Sequence, residues 1–271
     1  MNYRNDEEER PAEGQLEHAL ADLAAPAPAD FALRVLQRVG ISRDRYDTYS
    51  HLDSAAGGLF VAYSPDAVTG SAVDTMVTDA DEFERLHHAR TGRTAIPASA
   101  PFPGLRPALR TGRAKRLPID LGGLTDLECA VLHAVRSIPS GQLRPITWLA
   151  REASLPSATG PIVEALAKNP VPMLIPCHRV TYEGGMPCDA AYAERVGDAL
   201  RSAEGIDMHR LEELTLRGAV FLGSDTTRIY CHPTCAHARR ITRPHQVPFR
   251  TAGAARQAGY RACKSCRPAT V

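Results

Sequence analysis

Long apolar stretches are missing from this chain of 271 residues. No apolar run approaches the roughly 20 residues that a helix needs to span a bilayer, so a protein anchored by membrane helices is excluded. The first ten residues are acidic and polar, and they contain neither the basic start nor the apolar stretch of a secretion signal. The sequence therefore predicts a cytoplasmic protein that does not contact membranes.

Aromatic residues are also scarce, at 6% of the chain, and Trp148 is the only tryptophan. Aliphatic content is ordinary for a globular protein, and the length is sufficient for two or three small domains. Seven cysteines are present without an export signal. Since disulfide frameworks belong to exported proteins, these cysteines indicate thiol chemistry or metal binding.

Acidic residues are absent from residues 226–271, which carry nine bases. Residues 1–30 show the opposite bias, with eight acids against two arginines. A strongly basic segment is typical of a module that binds a polyanion. For the acidic end we expect a solvated and partly disordered extension.

The chain divides into five predicted segments. An amphipathic helix is predicted over Leu124–Ile138, with Thr125 or Asp126 as its cap. Two short helices follow, over Ile146–Ala153 and Ala158–Lys168, and are predicted to form a helix-turn-helix. The segments are an acidic helical or partly disordered extension (1–44), a small αβ scaffold (45–120), a helical domain (121–205), a linker helix (206–218) and a C-terminal cysteine-containing module (219–271). Further predicted elements are helices over 14–23, 31–39, 79–89 and 105–111 and strands over 46–51 and 57–63.

Cys177 and His178 follow the apolar run Val171–Ile175. That run predicts a buried strand, which Pro176 would end, leaving Cys177 at a turn that faces a cleft. Burial raises the pKa of a thiol, so a nearby base must take its proton. Neighbouring residues of an extended chain point to opposite sides, so we expect a water molecule to bridge the thiol and the imidazole. The alternative is a buried structural cysteine beside a surface histidine.

The stretch Asn169–Val180 closely resembles the active-site segment of the alkylguanine-DNA alkyltransferases, also called methylated-DNA-protein-cysteine methyltransferases. Ile138–Gln142 resembles a helix-ending turn of that family, and Glu204 stands at the family's spacing after the cysteine. The resemblance implies that Cys177 accepts an alkyl group, that His178 acts through water as its base, that Glu204 orients His178, and that Asn169 braces the turn. It also implies an α+β fold in which a small ribonuclease-H-like αβ domain, with an opening hairpin near residues 57–62, precedes a helical domain whose helix-turn-helix binds the minor groove.

Two positions and one loop depart from that family. Gly160 stands where an arginine fills the gap left by a flipped base, and Ile146 stands where a tyrosine helps to rotate the phosphate. The loop over residues 184–192 lacks the family's Gly, Tyr and Ser pattern. Because extruding a base costs a few kcal/mol, these changes predict a weakened flipping apparatus. Cys188 lies in this loop, where we expect a solvent-facing thiol; the alternative is that it approaches Cys177.

Two close cysteine pairs near the C-terminus predict a tetrahedral four-thiolate Zn²⁺ site. Its ligands would be Cys231, Cys235, Cys263 and Cys266. The flanking stretches Thr226–Cys235, Ala238–Arg240 and Ala258–Pro268 closely resemble the zinc domain of the Ada type of DNA-repair protein. That resemblance implies that Cys231 also accepts methyl groups from phosphotriesters of the DNA backbone, while a purely structural zinc site is the alternative.

The sequence thus predicts an α+β, single-turnover DNA alkylation-repair enzyme, monomeric and partnered by DNA, with Cys177 and Cys231 as methyl acceptors. One alternative is a zinc-dependent DNA-binding damage sensor or regulator with a degenerate alkyltransferase domain. A cysteine hydrolase is a third reading. It requires a base remote in sequence and an oxyanion hole, and the sequence identifies neither.

Overall fold

The computed structural model describes residue 28 and residues 30–155, 159–183, 185–192 and 195–268. It has a mixed α/β architecture with one four-stranded sheet at each end and helices between them. The helix predicted over residues 14–23 lies outside the described residues. The described part contains no helix with the length and apolar character needed to cross a membrane.

Nine helices and ten strands are described. The helices are α1 (Phe31–Arg38), α2 (Ala80–Thr91), α3 (Leu105–Thr111), α4 (Asp126–Arg136), α5 (Ile146–Glu152), α6 (Thr159–Ala167), α7 (Val196–Ala203), α8 (Met208–Leu216) and α9 (Ala252–Gln257). The strands are β1 (Tyr46–Ser54), β2 (Gly57–Tyr63), β3 (Val68–Val73), β4 (Thr94–Pro97), β5 (Arg144–Pro145), β6 (Val180–Thr181), β7 (Phe221–Ser224), β8 (Ile229–Cys231), β9 (Gln246–Phe249) and β10 (Arg261–Ala262).

The N-terminal sheet has the order β3-β2-β1-β4. Strands β1 and β2 form an antiparallel hairpin that closes at Ser54 and Gly57, and β4 adds to β1 in parallel after the crossover through α2. Asp79 caps α2, because its side chain accepts a hydrogen bond from the amide of Glu82. The sheet therefore combines a hairpin meander with one parallel edge strand.

The helical part begins at a capping box. Thr125 accepts from the Glu128 amide while the Glu128 carboxylate accepts from the Thr125 amide, which fixes the first turn of α4. The predicted helix pair is present as α5 and α6, and both pack against α4. The turn between α5 and α6 includes residues 156–158, which lie outside the described residues.

The predicted strand over Val171–Ile175 is wrong. Pro170 and Pro172 lack amide donors, and Met173 has a φ of 70°, so the chain reverses and closes an isolated bridge between Pro172 and Ile175. Its apolar side chains are nevertheless buried, except for the half-buried Met173. The prediction of burial is therefore confirmed even though the predicted strand is not.

A continuous apolar core joins the N-terminal sheet to the helical part. It includes Leu59 of β2, Val131 of α4 and Cys177, all with 0% exposure. Ser71 of β3 also donates its amide to the carbonyl of Pro170 at 3.0 Å and its hydroxyl to that of Pro172 at 2.8 Å. The sheet thus supports the chain reversal that precedes Cys177.

The C-terminal sheet has the order β10-β8-β7-β9. Antiparallel pairing of β7 with β8 places Leu222 opposite Cys231, while β10 runs parallel to β8. Helix α9 is capped by Thr251, whose side chain accepts a hydrogen bond from the amide of Ala254. This arrangement brings the end of β8 beside the residues that follow β10.

Candidate functional site

Cys177 opens a single 3₁₀ turn, Cys177–Arg179, and has no exposed surface. Asn169 holds this turn: its Nδ2 donates to Cys177 Sγ at 3.1 Å and to the carbonyl of Ile175 at 3.0 Å, while its Oδ1 accepts from the amide of Val171 at 3.0 Å. One amide group therefore fixes both the sulfur and the backbone around it. Cys177 thus lies at a turn, as the sequence predicts, but its thiol is buried and does not face an open cleft.

His178 and Glu204 form a buried pair, with Nε2 of the imidazole 3.0 Å from Oε1 of the carboxylate. Arg179, which is 3% exposed, binds the same carboxylate through Nε at 3.0 and 3.1 Å and through its terminal nitrogen at 2.5 Å. The amide of Gly141 donates to Oε2 of Glu204 at 2.8 Å. The Ile138–Gln142 turn singled out in the sequence therefore holds the carboxylate that orients His178.

The protonation states of these groups follow from their surroundings. Burial raises the pKa of Glu204, but the hydrogen bonds from His178 and Arg179 outweigh it and bring the pKa to about 2. Burial lowers the pKa of His178, because desolvation disfavours the imidazolium. Near neutral pH, then, a carboxylate faces a neutral imidazole that is able to accept a proton.

Burial raises the pKa of the Cys177 thiol to about 12, against a smaller opposing effect of the Asn169 amide. At pH 7 the thiolate fraction is then on the order of 10⁻⁵ if the thiol ionises alone. Only the thiolate is an effective nucleophile. Chemistry at Cys177 therefore requires proton transfer to a neighbouring base.

Tyr192 and Arg179 contact the predicted residues but were not identified from the sequence. The hydroxyl oxygen of Tyr192 lies 3.3 Å from His178 Nδ1 and 3.2 Å from the amide nitrogen of Met173. The sequence did contain a signal for Arg179, because it is a basic residue directly after His178 in a turn expected to be buried. For Tyr192 no local signal was available, since its contact depends on how the loop over residues 185–192 folds back.

That loop is fastened by a buried guanidinium. Arg201, with 1% exposure, binds Asp189 through two hydrogen bonds of 2.7 Å and the carbonyl of His178 at 3.2 Å. Cys188 has 0% exposure, so the expectation of a solvent-facing thiol is wrong. Its amide donates to the carbonyl of Val180, which turns the side chain into the core.

The two positions that depart from the alkyltransferases differ in their surroundings. Gly160 is exposed in the first turn of α6, and a Cβ placed there would meet no atom within 4 Å. Ile146 is 2% exposed and belongs to the main core. A larger side chain is therefore accommodated at position 160 and opposed at position 146.

The four C-terminal cysteines converge as predicted. The sulfur atoms of Cys231, Cys235, Cys263 and Cys266 all lie within 4.8 Å of one another and are buried. Zn–S bonds of about 2.3 Å in a tetrahedron place sulfur atoms about 3.8 Å apart. The number, type and spacing of the donor atoms therefore fit a Zn²⁺ ion.

Cys231 differs from the other three cysteines in its position. It lines a cavity of about 420 Å³, whose walls also include Thr226, His237 and Arg240. The other three cysteines do not line this cavity. His237 Nδ1 lies 3.4 Å from the sulfur of Cys263. Among the four cysteines of the described site, Cys231 is thus the one adjacent to space that a substrate could enter.

The cysteine module packs directly on helix α5 and on the residues that precede it. Trp148 of α5 donates its indole N–H to the carbonyl of Cys266 at 3.0 Å, and the Leu143 amide donates to Thr234 Oγ1 at 2.8 Å. Arg267 forms an ion pair with Glu152 at the end of the same helix. The only tryptophan of the chain therefore lies against a predicted metal ligand.

Two family profiles match consecutive parts of the chain. The profile described as the DNA-binding domain of 6-O-methylguanine DNA methyltransferase covers residues 126–206, and the profile described as the metal-binding domain of Ada covers residues 212–269. Each segment is similar to the family that its profile describes. The two matched segments contain Cys177 and the four-cysteine cluster, respectively.

Several curated relatives are named methylated-DNA-protein-cysteine methyltransferases. The protein from Methanothermobacter thermautotrophicus is 37% identical over 92 residues, which is 30% of this chain and 50% of the relative. The protein from Shigella flexneri is 32% identical over 106 residues, which is 37% of this chain and 61% of the relative. The chain thus spans about half the length of the curated relatives it matches. The solved O6-methylguanine methyltransferase of Mycobacterium tuberculosis is 24% identical, with 58% of this chain and 92% of that chain covered and a TM-score of 0.45.

Proposed function

We propose that this protein repairs alkylated DNA by moving methyl groups irreversibly to two of its own cysteines. Cys177 would take the methyl group of an alkylated guanine, and Cys231 that of a methylphosphotriester. The observation that carries the proposal is the buried thiol of Cys177, bound by Asn169 beside the His178–Glu204 pair. This is the set of groups that methyl transfer to sulfur requires.

At Cys177 the reaction is a displacement at carbon. The thiol proton passes to His178, and the Glu204 carboxylate stabilises the resulting imidazolium at 3.0 Å. The sulfur forms a bond to the methyl carbon while the bond from carbon to the guanine oxygen breaks. The base leaves as an anion and regains a proton to become guanine. The thioether product is stable, so each molecule acts once.

At Cys231 the four cysteines would hold Zn²⁺, which keeps thiolates ionised near neutral pH. The sulfur of Cys231 would attack the methyl carbon of a neutral phosphotriester, and the phosphodiester would leave as an anion. A methylated phosphate has no charge and so is not repelled by the thiolates. Arg240 on the cavity wall and the other bases of residues 226–271 would hold the neighbouring phosphates.

A second candidate function is damage sensing by a DNA-bound protein whose alkyltransferase domain is inactive. The exposed Gly160 and the buried Ile146 favour this reading, because neither supplies the groups that extrude a base. The intact contacts around Cys177 oppose it. The two functions differ in one outcome, which is whether Cys177 acquires a methyl group.

The experiment is intact-mass analysis after incubation with DNA that carries both lesions. Repair at both sites predicts two added methyl groups in the wild-type protein and one in Cys177→Ser. Cys129→Ser is the matched control, since Cys129 is a half-buried thiol outside both sites and its loss should leave two additions. If the wild-type protein and Cys177→Ser each gain one methyl group, the result supports the sensor function. No addition to the wild type would contradict the proposal.

We further propose the predicted division of the chain at residues 44, 120, 205 and 218, with the N-terminal sheet acting as a ribonuclease-H-like scaffold. The hairpin β1–β2 with its parallel edge strand β4 supports this assignment. A monomer that works on DNA in the cytoplasm completes the proposal. Size-exclusion chromatography with light scattering, with and without duplex DNA, tests the oligomeric state.

A further inference from the structure

A separate cavity lies between the helical domain and the cysteine module. Its volume is about 440 Å³, which is within the range of sites that bind small molecules. Thr147 of α5 lines it from the helical domain, and Phe221 and His232 line it from the cysteine module. It shares no wall residue with the cavity at the four-cysteine site or with the one that touches the His178–Glu204 pair. The cavity is therefore distinct from both proposed sites of methyl transfer.

Two buried polar atoms on the walls of this cavity lack partners. Nε2 of His232, a residue with 5% exposure, and Oγ1 of Thr147 make no hydrogen bond within the described residues. Burying a polar atom without a hydrogen bond costs free energy, so such an atom indicates a place where a bound group belongs. A hydroxyl can donate and accept, and an imidazole nitrogen does one or the other according to its tautomer. The cavity thus offers a ligand hydrogen-bonding groups that the described chain leaves unused.

Three other hydroxyls on the walls are already engaged. They are bonded at 2.8–3.0 Å to neighbouring backbone groups, Thr234 to Leu143, Thr215 to Leu211 and Thr251 to Ala254. Much of the remaining wall is apolar and includes Leu143, Pro145, Phe221, Pro233 and Ala252. A ligand that fits these walls has an apolar body with a polar edge.

The charged side chains on the walls are those of Glu183 and Arg250, and both residues are exposed. Oε1 of Glu183 accepts a hydrogen bond from the Thr147 amide at 3.1 Å, so this carboxylate is engaged at the start of α5. Arg250 belongs to residues 226–271, which contain no acid. Its guanidinium is therefore the group on these walls that suits an anion.

We propose that this cavity binds a nucleotide, with the base between the apolar walls and the phosphate on Arg250. A heteroaromatic base has apolar faces for the walls and has donor and acceptor atoms along its edge for His232 and Thr147. A lipid anion would leave both polar atoms without partners, and a sugar phosphate would place its hydroxyls against apolar walls. Binding at this cavity requires neither acceptor cysteine, so the site goes beyond the proposed repair chemistry.

Equilibrium dialysis of the full-length, zinc-loaded protein with labelled 2′-deoxyguanosine 5′-monophosphate tests the hydrogen bonds of the site. Thr147→Val removes the hydroxyl and keeps the shape of the side chain, so it should weaken binding about 5-fold, the effect of one hydrogen bond. Thr215→Val is the matched control. Thr215 lines the same cavity, but its hydroxyl donates to the carbonyl of Leu211. This control should bind the nucleotide as tightly as the wild type does.

The same assay tests the phosphate contact. Arg250→Gln should weaken binding of the monophosphate on the order of 10-fold and leave binding of deoxyguanosine, which has no phosphate, unchanged. Arg256→Gln is the matched control, because Arg256 is an exposed arginine of the same basic module that does not line the cavity. Competition by single-stranded DNA would support a nucleotide within a strand as the occupant, and competition by mononucleotides alone would support a free nucleotide.

Three results would overturn the site. They are no binding of the monophosphate at about 1 mM, equal binding by the wild type and all four variants, and equally tight binding of decanoate, an anion whose body is wholly apolar. Unchanged emission of Trp148 and unchanged zinc content verify that each variant is folded. A protein that binds the nucleotide but takes no methyl group from DNA would contradict the proposed function and leave the nucleotide site standing.

Discussion

Replacing Gly160 with arginine should restore transfer from duplex DNA more than transfer from a free base. The position lies in the first turn of α6, is exposed, and would accept a Cβ without contact within 4 Å. A guanidinium there would fill the gap that an extruded base leaves. Extrusion costs a few kcal/mol, so recovering about 1–2 kcal/mol of it raises the duplex rate about 5- to 30-fold.

The assay compares methyl transfer to Cys177 from free O-alkylated guanine, single-stranded DNA and duplex DNA. Gly160→Ala is the control, because it supplies the gain in helix propensity of about 1 kcal/mol without the guanidinium. Adding Ile146→Tyr should not help. Ile146 is 2% exposed, and overpacking a core position costs about 1–3 kcal/mol. Equal acceleration on all three substrates, or an equal effect of Gly160→Ala, would refute the reasoning.

The remaining predictions concern metal, charge and pH. The purified protein should contain one zinc ion, and removing it with a chelator should shift the emission of Trp148 to the red, because the indole donates to the carbonyl of Cys266. Cys263→Ser should lose the zinc and show the same red shift without a chelator. Normal zinc content and unshifted emission in this variant would contradict the prediction. Methylating Cys231 should change the charge of the zinc site from −2 to about −1. Binding to duplex DNA should then strengthen, because the phosphates dominate affinity and are repelled less. Equal affinity of the methylated and unmethylated forms, measured at one salt concentration, would exclude the effect. Because the pKa of Glu204 falls from 4.5 to about 2 on folding, its contribution to stability should be complete above pH 4.5 and be lost as the pH falls towards 2. Glu204→Gln should flatten that part of the curve of unfolding free energy against pH, and an unchanged curve would contradict it.

The sequence was most informative where local chemistry decides the structure. Thr125 and Glu128 form a capping box that needs no tertiary contact, and α4 follows from it. The four cysteines form two pairs that are each close in sequence, so the site required only that the two pairs come together in the fold. Their spacing predicted the donor set, which the structure confirms.

Residues whose contacts depend on distant chain segments were not predictable in this way. The strand predicted before Cys177 is wrong because the apolar run Val171–Ile175 did not reveal the reversal of the chain at Met173. Cys188 and Tyr192 lie in a loop whose position is set by Arg201, a residue of α7. Nothing near them in sequence indicates that one would be buried and the other would face His178.

The account is tested most directly by supplying the two lesions separately and mapping the methylated cysteine. DNA that carries only alkylated guanine should label Cys177, and DNA that carries only methylphosphotriesters should label Cys231. Each label should be absent with the other substrate. Methylation of neither cysteine, or of the same cysteine by both substrates, would contradict the assignment of two methyl-accepting sites.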